Sequence, residues 1–285
     1  MQKLIEKANI LAEALPYINK LAKKTVVIKY GGNAMCGDDI TKTIFEDIAM
    51  LKIVGVNPVL VHGGGPEIKA MLERLNIKSE FVNGLRVTDK AAMEVVQMVL
   101  CGKLNKDITA AINCMGVKAI GLSGKDADLI RVVKKTDAGV DYGYVGDIVS
   151  VNTKLLNLLI SDEFIPVIST VGADEHGTGY NINADTAAGE IAGAMNAEKL
   201  IYLTDVDGLR RDEKDEKSLI HEISKAEVMK MIKEKSITGG MIPKVLSCIS
   251  ALDKGVKRVH IINGKIFHPI MLEIFTDSGI GTMIY

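Results

Sequence analysis

The chain has 285 residues, 47% of them hydrophobic, and its 35 basic side chains against 36 acidic ones leave a formal charge of −1. That balance argues against a nucleic-acid or membrane-surface partner, and the length is enough to bury the core of one large α/β domain or of two lobes. The four cysteines, Cys36, Cys101, Cys114 and Cys248, lack C-x-x-C spacing, so neither a zinc site nor a disulfide framework is suggested.

The first element is an amphipathic stretch over 2–22, in which Leu4, Ile5, Ala8, Leu11, Ala14, Leu15, Ile18 and Leu21 recur at helical spacing. Pro16 interrupts it, which predicts a kinked helix or two short ones, packed by pattern alone on its own domain. No apolar run approaches the ~20 residues of a membrane span and no signal core follows Met1, so a cytoplasmic protein is expected. Next come a strand over 25–29, a helix over 39–54 stopped by Gly55, a strand over 58–61 and a helix over 66–75, with Asp38 or Asp39 as an N-cap. This β-α-β-α order predicts a three-layer αβα sandwich with a mainly parallel central sheet and ligands at the carboxyl ends of the strands.

Farther on, Leu129 to Val133 and Val145 to Val151 flank the polar turn Asp137 to Gly143, a hairpin pattern assigned to the edge of that sheet. Parallel order then resumes with a helix over 153–161, a strand over 165–169, a helix over 184–196 and a strand over 199–204. Helices over 224–234 and 241–254, a strand over 257–262 and a last strand near Thr282 complete the chain. The expected division is an N-terminal segment 1–24, an N-lobe 25–172 and a C-lobe 173–285, parted at a loop around Val171 to Gly179.

Two of the strands run into glycine-rich turns, Lys29-Tyr30-Gly31-Gly32-Asn33 and His62-Gly63-Gly64-Gly65-Pro66. Adjacent glycines let the backbone approach a ligand and aim successive N–H groups at it, which suits phosphate or carboxylate oxygens. Ile68 stands where a dinucleotide motif needs its third glycine, and no Gly-Lys-Ser/Thr run has P-loop spacing. The turns therefore read as a site for a phosphoryl group held between two loops with Lys29 neutralising it, or as tight turns without a ligand.

Three further runs accompany these turns: Asn83-Gly84-Leu85-Arg86-Val87-Thr88, Asn181-Ile182-Asn183-Ala184-Asp185 and Thr238-Gly239-Gly240-Met241-Ile242-Pro243-Lys244. In order and spacing, from about Thr25 to the end, the set closely resembles the acetylglutamate kinases of the amino acid kinase family. The resemblance implies ATP-dependent phosphorylation of the side-chain carboxylate of N-acetyl-L-glutamate, the second step of arginine biosynthesis, with Mg²⁺ accompanying ATP on few or no protein ligands. It makes the N-lobe the acetylglutamate-binding and dimerising half and the C-lobe the ATP-binding half. Lys29 and Lys244 would neutralise the transferring group, with Asp185 orienting both. Gly64, Gly65, Arg86 and Asn181 would hold the substrate, Arg86 through its planar fork. Gly31, Gly32, Gly63, Thr204, Asp205 and Gly208 would serve the nucleotide.

The segment before Thr25 and the ending from His268 onward also resemble the arginine-inhibited branch, whose N-terminal helices interlace dimers into a hexamer. That overrides the packing expected from pattern alone and places feedback arginine near Tyr17, His268, Glu273 and Gly281. Pro269 and the short tail depart from the branch's usual pattern. Some relatives bind a PII signalling protein. The competing readings are another amino acid kinase, acting on carbamate, aspartate, glutamate or a nucleoside monophosphate, and a non-catalytic arginine sensor.

Overall fold

The structure, a computed structural model, describes all residues except 33–36, 138, 213–214 and 277–278, and the side chains at 3, 6–8, 10, 11 and 216 are also left out. Asn33, Ala34 and Cys36, and the side chains of Ala8 and Leu11 in the N-terminal stripe, therefore lie outside the described residues. Pro16 ends one helix and opens another, since its missing N–H is harmless only in a first turn. The result is α1 (Gln2–Glu13) followed by α2 (Leu15–Leu21).

The β-α alternation follows: β1 (Thr25–Tyr30), α3 (Asp38–Ile53), β2 (Asn57–His62) and α4 (Gly65–Arg74). Gly37, not Asp38 or Asp39, is the N-cap of α3; both acids sit in its first turn, where the helix dipole favours them without a side-chain cap. A two-stranded hairpin, β3 (Phe81–Val82) and β4 (Leu85–Arg86), precedes α5 (Lys90–Gln97), a π-helical stretch Met98–Leu104, α6 (Asn105–Asn113) and β5 (Lys118–Ser123). Then come β6 (Ile130–Lys134), β7 (Gly146–Val151), α7 (Thr153–Ser161), β8 (Phe164–Ser169), β9 (Val171–Ala173) and β10 (Gly179–Asn181). The remainder is α8 (Ala184–Ala194), β11 (Lys199–Thr204), β12 (Glu222–Ile223), α9 (Lys225–Lys233), α10 (Met241–Asp253), β13 (Arg258–Asn263), α11 (Pro269–Ile274) and β14 (Thr282–Ile284).

Eight strands form the central sheet in the order β12-β14-β13-β11-β1-β2-β8-β5. Its pairs are parallel except β13 with β14. The β6–β7 hairpin is real but does not edge this sheet. It joins β9 and β10 in a separate four-stranded sheet, where a bulge at Arg131/Val132 shifts the register. The presumed boundary loop is itself the β9–β10 hairpin, and the central sheet runs from one half of the chain into the other through the β1–β11 pair.

Side-chain alternation divides the core between the two faces. Val26, Ile28 and Tyr30 of β1 pack with Ile44, Phe45 and Ile48 of α3 and Ile108 and Ile112 of α6. Val27 of β1 and Val59 and Val61 of β2 pack on the opposite face with Ala187, Ala188 and Ile191 of α8. Small residues along α8 allow a close approach to the sheet and to α10, with the Gly189 backbone near the Tyr202 hydroxyl and Ala251.

Candidate active site

Strands β11, β1 and β2 are adjacent and parallel, so their carboxyl ends open side by side. The ends of β1 and β2 are in register, Tyr30 opposite His62, and Gly63 N–H donates to the Tyr30 carbonyl at 2.9 Å. The two glycine turns therefore touch. A Cβ on Gly31, whose φ is +152°, would sit 2.9 Å from the Gly63 nitrogen, so this contact admits no side chain.

Alternation sends Lys29 to the α8 side of the sheet, and its ammonium meets Asp185 Oδ1 at 2.9 Å. Asp185 is in the first turn of α8, capped by Asn183, whose side chain accepts from Thr186 N–H at 3.0 Å. Tyr202, the register partner of Lys29 on β11, donates its hydroxyl to the Asp185 carbonyl at 3.1 Å. That clamp was missed in the sequence because the tyrosine lies inside an ordinary apolar strand. Burial pushes the Tyr202 phenol well above its ordinary value, so it stays a neutral donor.

A cleft of about 200 Å³ lies against this pair, lined by Lys29, Gly64, Gly65, Arg86, Asn181 and Asp185. Arg86 is 7% exposed. Its guanidinium donates to Ser79 Oγ and, at 3.1 Å, to the Gly65 carbonyl, and lies over the Phe81 ring at 4.6 Å. Burial lowers its pKa, yet an arginine remains cationic under these conditions. Asn181 donates its side-chain amide to Thr88 Oγ1 at 3.3 Å. Gly32 and Gly63 also line the cleft.

Lys244, near the start of α10, stands on the other side of Asp185: a small cavity is lined by Asp185, Tyr202, Thr204 and Lys244. Its ammonium lies 3.6 Å from Asp205 Oδ1, while Asp185, which shares the small cavity with it, pairs with Lys29. Beyond lies a larger cavity of about 340 Å³, lined by Asp205, Asp207, Gly208, Thr238, Met241 and Asn263. Thr204, 7% exposed, lines the small cavity and not this one, its hydroxyl donating to the Val206 carbonyl at 2.9 Å. Among the described residues no three His, Cys, Asp or Glu side chains cluster as a metal cage.

The regulatory residues divide. Tyr17 and Glu273 line a third cavity, of about 230 Å³, with Lys20, Lys199, Glu222 and Arg258. His268 and Gly281 do not. His268 instead turns its Nδ1 to Asp47 Oδ1 of α3 at 2.7 Å, because Asp47 also accepts from Ile270 and Met271 N–H and so holds the start of α11. Gly281 packs on the Ile261 carbonyl and donates its N–H to Glu273 Oε2 at 3.0 Å. Glu273 is thereby occupied within the fold, its other oxygen 2.6 Å from His260 Nδ1.

Glycine-lined strand ends, Lys29 paired with Asp185 in one cleft with Arg86, and Lys244 on the far side of Asp185 are the arrangement of a phosphotransferase. Residues 24–263 match the model of the amino acid kinase family, and the chain belongs to that family. It is 58% identical to the acetylglutamate kinase of Caldicellulosiruptor saccharolyticus, over 100% of this chain and 98% of that one. Among solved structures, N-acetylglutamate synthase from Neisseria gonorrhoeae complexed with coenzyme A and N-acetyl-glutamate is similar at TM-score 0.86 and 28% identity, covering 97% of this chain and 63% of the synthase. The same synthase complexed with coenzyme A and L-arginine is similar at TM-score 0.80 and 25% identity, covering 97% and 65%. This chain therefore spans a little under two thirds of the synthase.

Proposed function

We propose that this protein is an acetylglutamate kinase, transferring the γ-phosphoryl of ATP to the side-chain carboxylate of N-acetyl-L-glutamate to give N-acetyl-L-glutamyl 5-phosphate and ADP. The observation that carries this is Asp185, which forms a wall common to the cleft holding Lys29 and Arg86 and the cavity reached by Lys244. Acceptor and donor are both anionic, so their approach is repulsive until cations and N–H dipoles offset it. Arg86 and Asn181 take the substrate's α-carboxylate and acetamido end. Gly64 and Gly65 present backbone N–H groups at the reacting end, and Gly31, Gly32 and Gly63 form the phosphate-facing turn. Lys29 acts on the transferring group and Lys244 on the leaving side. No general base is needed, because the acceptor carboxylate has no proton to lose at neutral pH.

The nucleotide base and ribose lie in the cavity of Asp205 and Gly208, with Thr204 in the small cavity of Lys244. Mg²⁺ accompanying the nucleotide would supply further charge neutralisation. Residues 25–172 and 173–285 serve as the acceptor and nucleotide lobes of one continuous sheet. Feedback arginine occupies the cavity of Tyr17 and Glu273, whose mixed lysines, arginine and acids suit a molecule bearing both signs. The described side chains of α1 are exposed, Leu4 and Ile5 at 65% and 52%, as an assembly covering them would require. We read the protein as a cytoplasmic homohexamer built on dimers and open to a PII signalling partner, a reading the exposed α1 supports only for assembly.

The test is ADP release across acetylglutamate, glutamate, aspartate, carbamate and a nucleoside monophosphate, each with and without arginine. Turnover confined to acetylglutamate supports the assignment, and appreciable turnover only with another acceptor overturns it.

A further inference from the structure

His62 is fully buried beside the cleft, and the mechanism above gives it no task. Alternation along β2 sends Val59 and Val61 toward α8, so Leu60 and His62 face α6 on the other side of the sheet. There His62 Nε2 is 3.1 Å from the side-chain nitrogen of Asn105, the first residue of α6, and its Nδ1 is 3.0 Å from the Gly63 carbonyl.

The roles in this chain are dictated. Asn105 Nδ2 also faces the Val167 carbonyl of β8 at 2.9 Å and the Leu122 carbonyl of β5 at 3.2 Å, while Lys106 Nζ donates to Asn105 Oδ1 at 3.1 Å. Backbone carbonyls only accept, so the amide turns its NH₂ toward them, its two N–H groups shared among the Val167 and Leu122 carbonyls and His62 Nε2; an amide nitrogen cannot accept, so Nε2 facing it carries no proton. The ring proton then sits on Nδ1, aimed at the Gly63 carbonyl. Burial holds the His62 pKa down to about 4, so the ring remains a neutral donor near neutral pH.

That carbonyl belongs to the peptide whose N–H is contributed by Gly64, and Gly64 lines the cleft with Lys29. The Gly63 N–H is fixed on the Tyr30 carbonyl, and behind Gly64 stand Leu100 and Leu104, whose methyls would lie 2.7 Å from any Cβ there. The peptide is thus held on both sides and has little room to rotate. A donor on its C=O withdraws charge from the N–H, so the two hydrogen bonds reinforce each other.

We infer that His62 is a positioning residue for phosphoryl transfer: its Nδ1–H, set by the carbonyls of β5 and β8 through Asn105, aims and polarises the Gly64 N–H toward the oxygens on which charge develops. This rests on the reading of the cleft as the acceptor site of an acetylglutamate kinase.

The test compares His62→Leu, His62→Gln and His62→Asn, with ¹⁵N-glycine labelling to follow the Gly64 amide proton. An asparagine amide places its nitrogen near the position of Nδ1, whereas a glutamine amide reaches only toward the position of Nε2. The expected result is a kcat lower by about tenfold or more for the Leu and Gln variants, since a misaimed donor fails mainly in the transition state. KM for N-acetyl-L-glutamate should stay within about twofold, the mark of an interaction made only in the transition state. The Gly64 proton should move upfield in both, and His62→Asn should restore both readouts. A folded His62→Leu variant with wild-type kcat overturns the inference, as does a His62→Asn variant no faster than His62→Leu. If the wild type fails to phosphorylate N-acetylglutamate, the reading of function falls, and the Gly64 shift decides separately: no difference between wild type and His62→Leu refutes the device.

Discussion

Burying His62 makes the fold acid-sensitive by an amount that can be worked out. Desolvation lowers its pKa from 6.5 to about 4, the Gly63 carbonyl partly opposing it and Lys106 adding slightly to it. The unfolded chain therefore takes up a proton first as pH falls, and the stability present above pH 6.5 is lost as pH falls toward 4. For a shift of this size the loss is about 2 kcal/mol between pH 7 and pH 5 and about 3 kcal/mol by pH 4. Urea unfolding of the wild type and of His62→Asn at pH 7, 6 and 5 isolates the contribution, since asparagine does not titrate. Other buried groups, His260 with its lowered pKa among them, are common to both proteins and cancel in the difference. The stability gap between the two proteins should narrow by about 2 kcal/mol on acidification. Parallel pH profiles would show that His62 is not held neutral by burial, and the tautomer argument would fail with it.

Lys29→Ala and Lys244→Ala should each lower kcat by on the order of 10² or more with little loss of thermal stability, because each removes charge from the transition state; steady-state kinetics with unchanged turnover would remove both from the reaction. Gly31→Ala should cost about 3 kcal/mol or more by denaturant unfolding, since its Cβ meets the Gly63 backbone and its φ is +152°. Gly65→Ala, with nothing within 4 Å and a helical first-turn position, should stay within about 0.5 kcal/mol. Equal stabilities would contradict the close approach of the turns. Millimolar arginine should raise Tm by about 2–4 °C and slow turnover, and Tyr17→Ala should weaken both responses; a flat thermal scan would rule out the proposed effector cavity.

The sequence made some of this legible and concealed the rest for identifiable reasons. Glycine pairs and β-branched runs mark β1 and β2 because those residues have few other uses at such spacing, and the alternation of strand and helix announced the parallel sheet. The region from Lys90 to Asn113 went unassigned, although Asp89 caps α5 and Ala92, Met93, Val95, Val96, Val99 and Leu100 are buried at helical spacing. There α5 runs through a π-helical stretch into α6, and the changed period blurs a 3.6-residue pattern. The β6–β7 hairpin was recognised locally but its sheet was not, because strand partners are chosen by contacts distant in sequence. Lys29 and Asp185 were correctly brought together. The contact of Lys244 with Asp205 was not legible, since Asp205 looked like a turn residue at the end of a strand. His268 was drawn to the regulatory cavity by the resemblance, whereas its own Nδ1 is claimed by Asp47, a carboxylate 0% exposed inside α3 whose role no local pattern reveals.

A strand between two helical layers exposes successive residues to different surroundings, and this chain shows that division at its glycine turns. On β1 the alternation that buries Tyr30 beside Phe45 of α3 turns Lys29 the other way, to Asp185 at the start of α8. On β2 the alternation that packs Val61 toward α8 turns His62 to Asn105 at the start of α6. Charge therefore reaches the glycine turns from one face of the sheet and hydrogen-bond alignment from the other, and neither layer can shift by a residue without moving both. The glycines make that convergence possible, because a side chain at Gly31 or Gly64 would force apart the turns or the helix behind them. The geometry of the proposed site is in this sense a property of the register between β1 and β2, fixed by Tyr30 opposite His62.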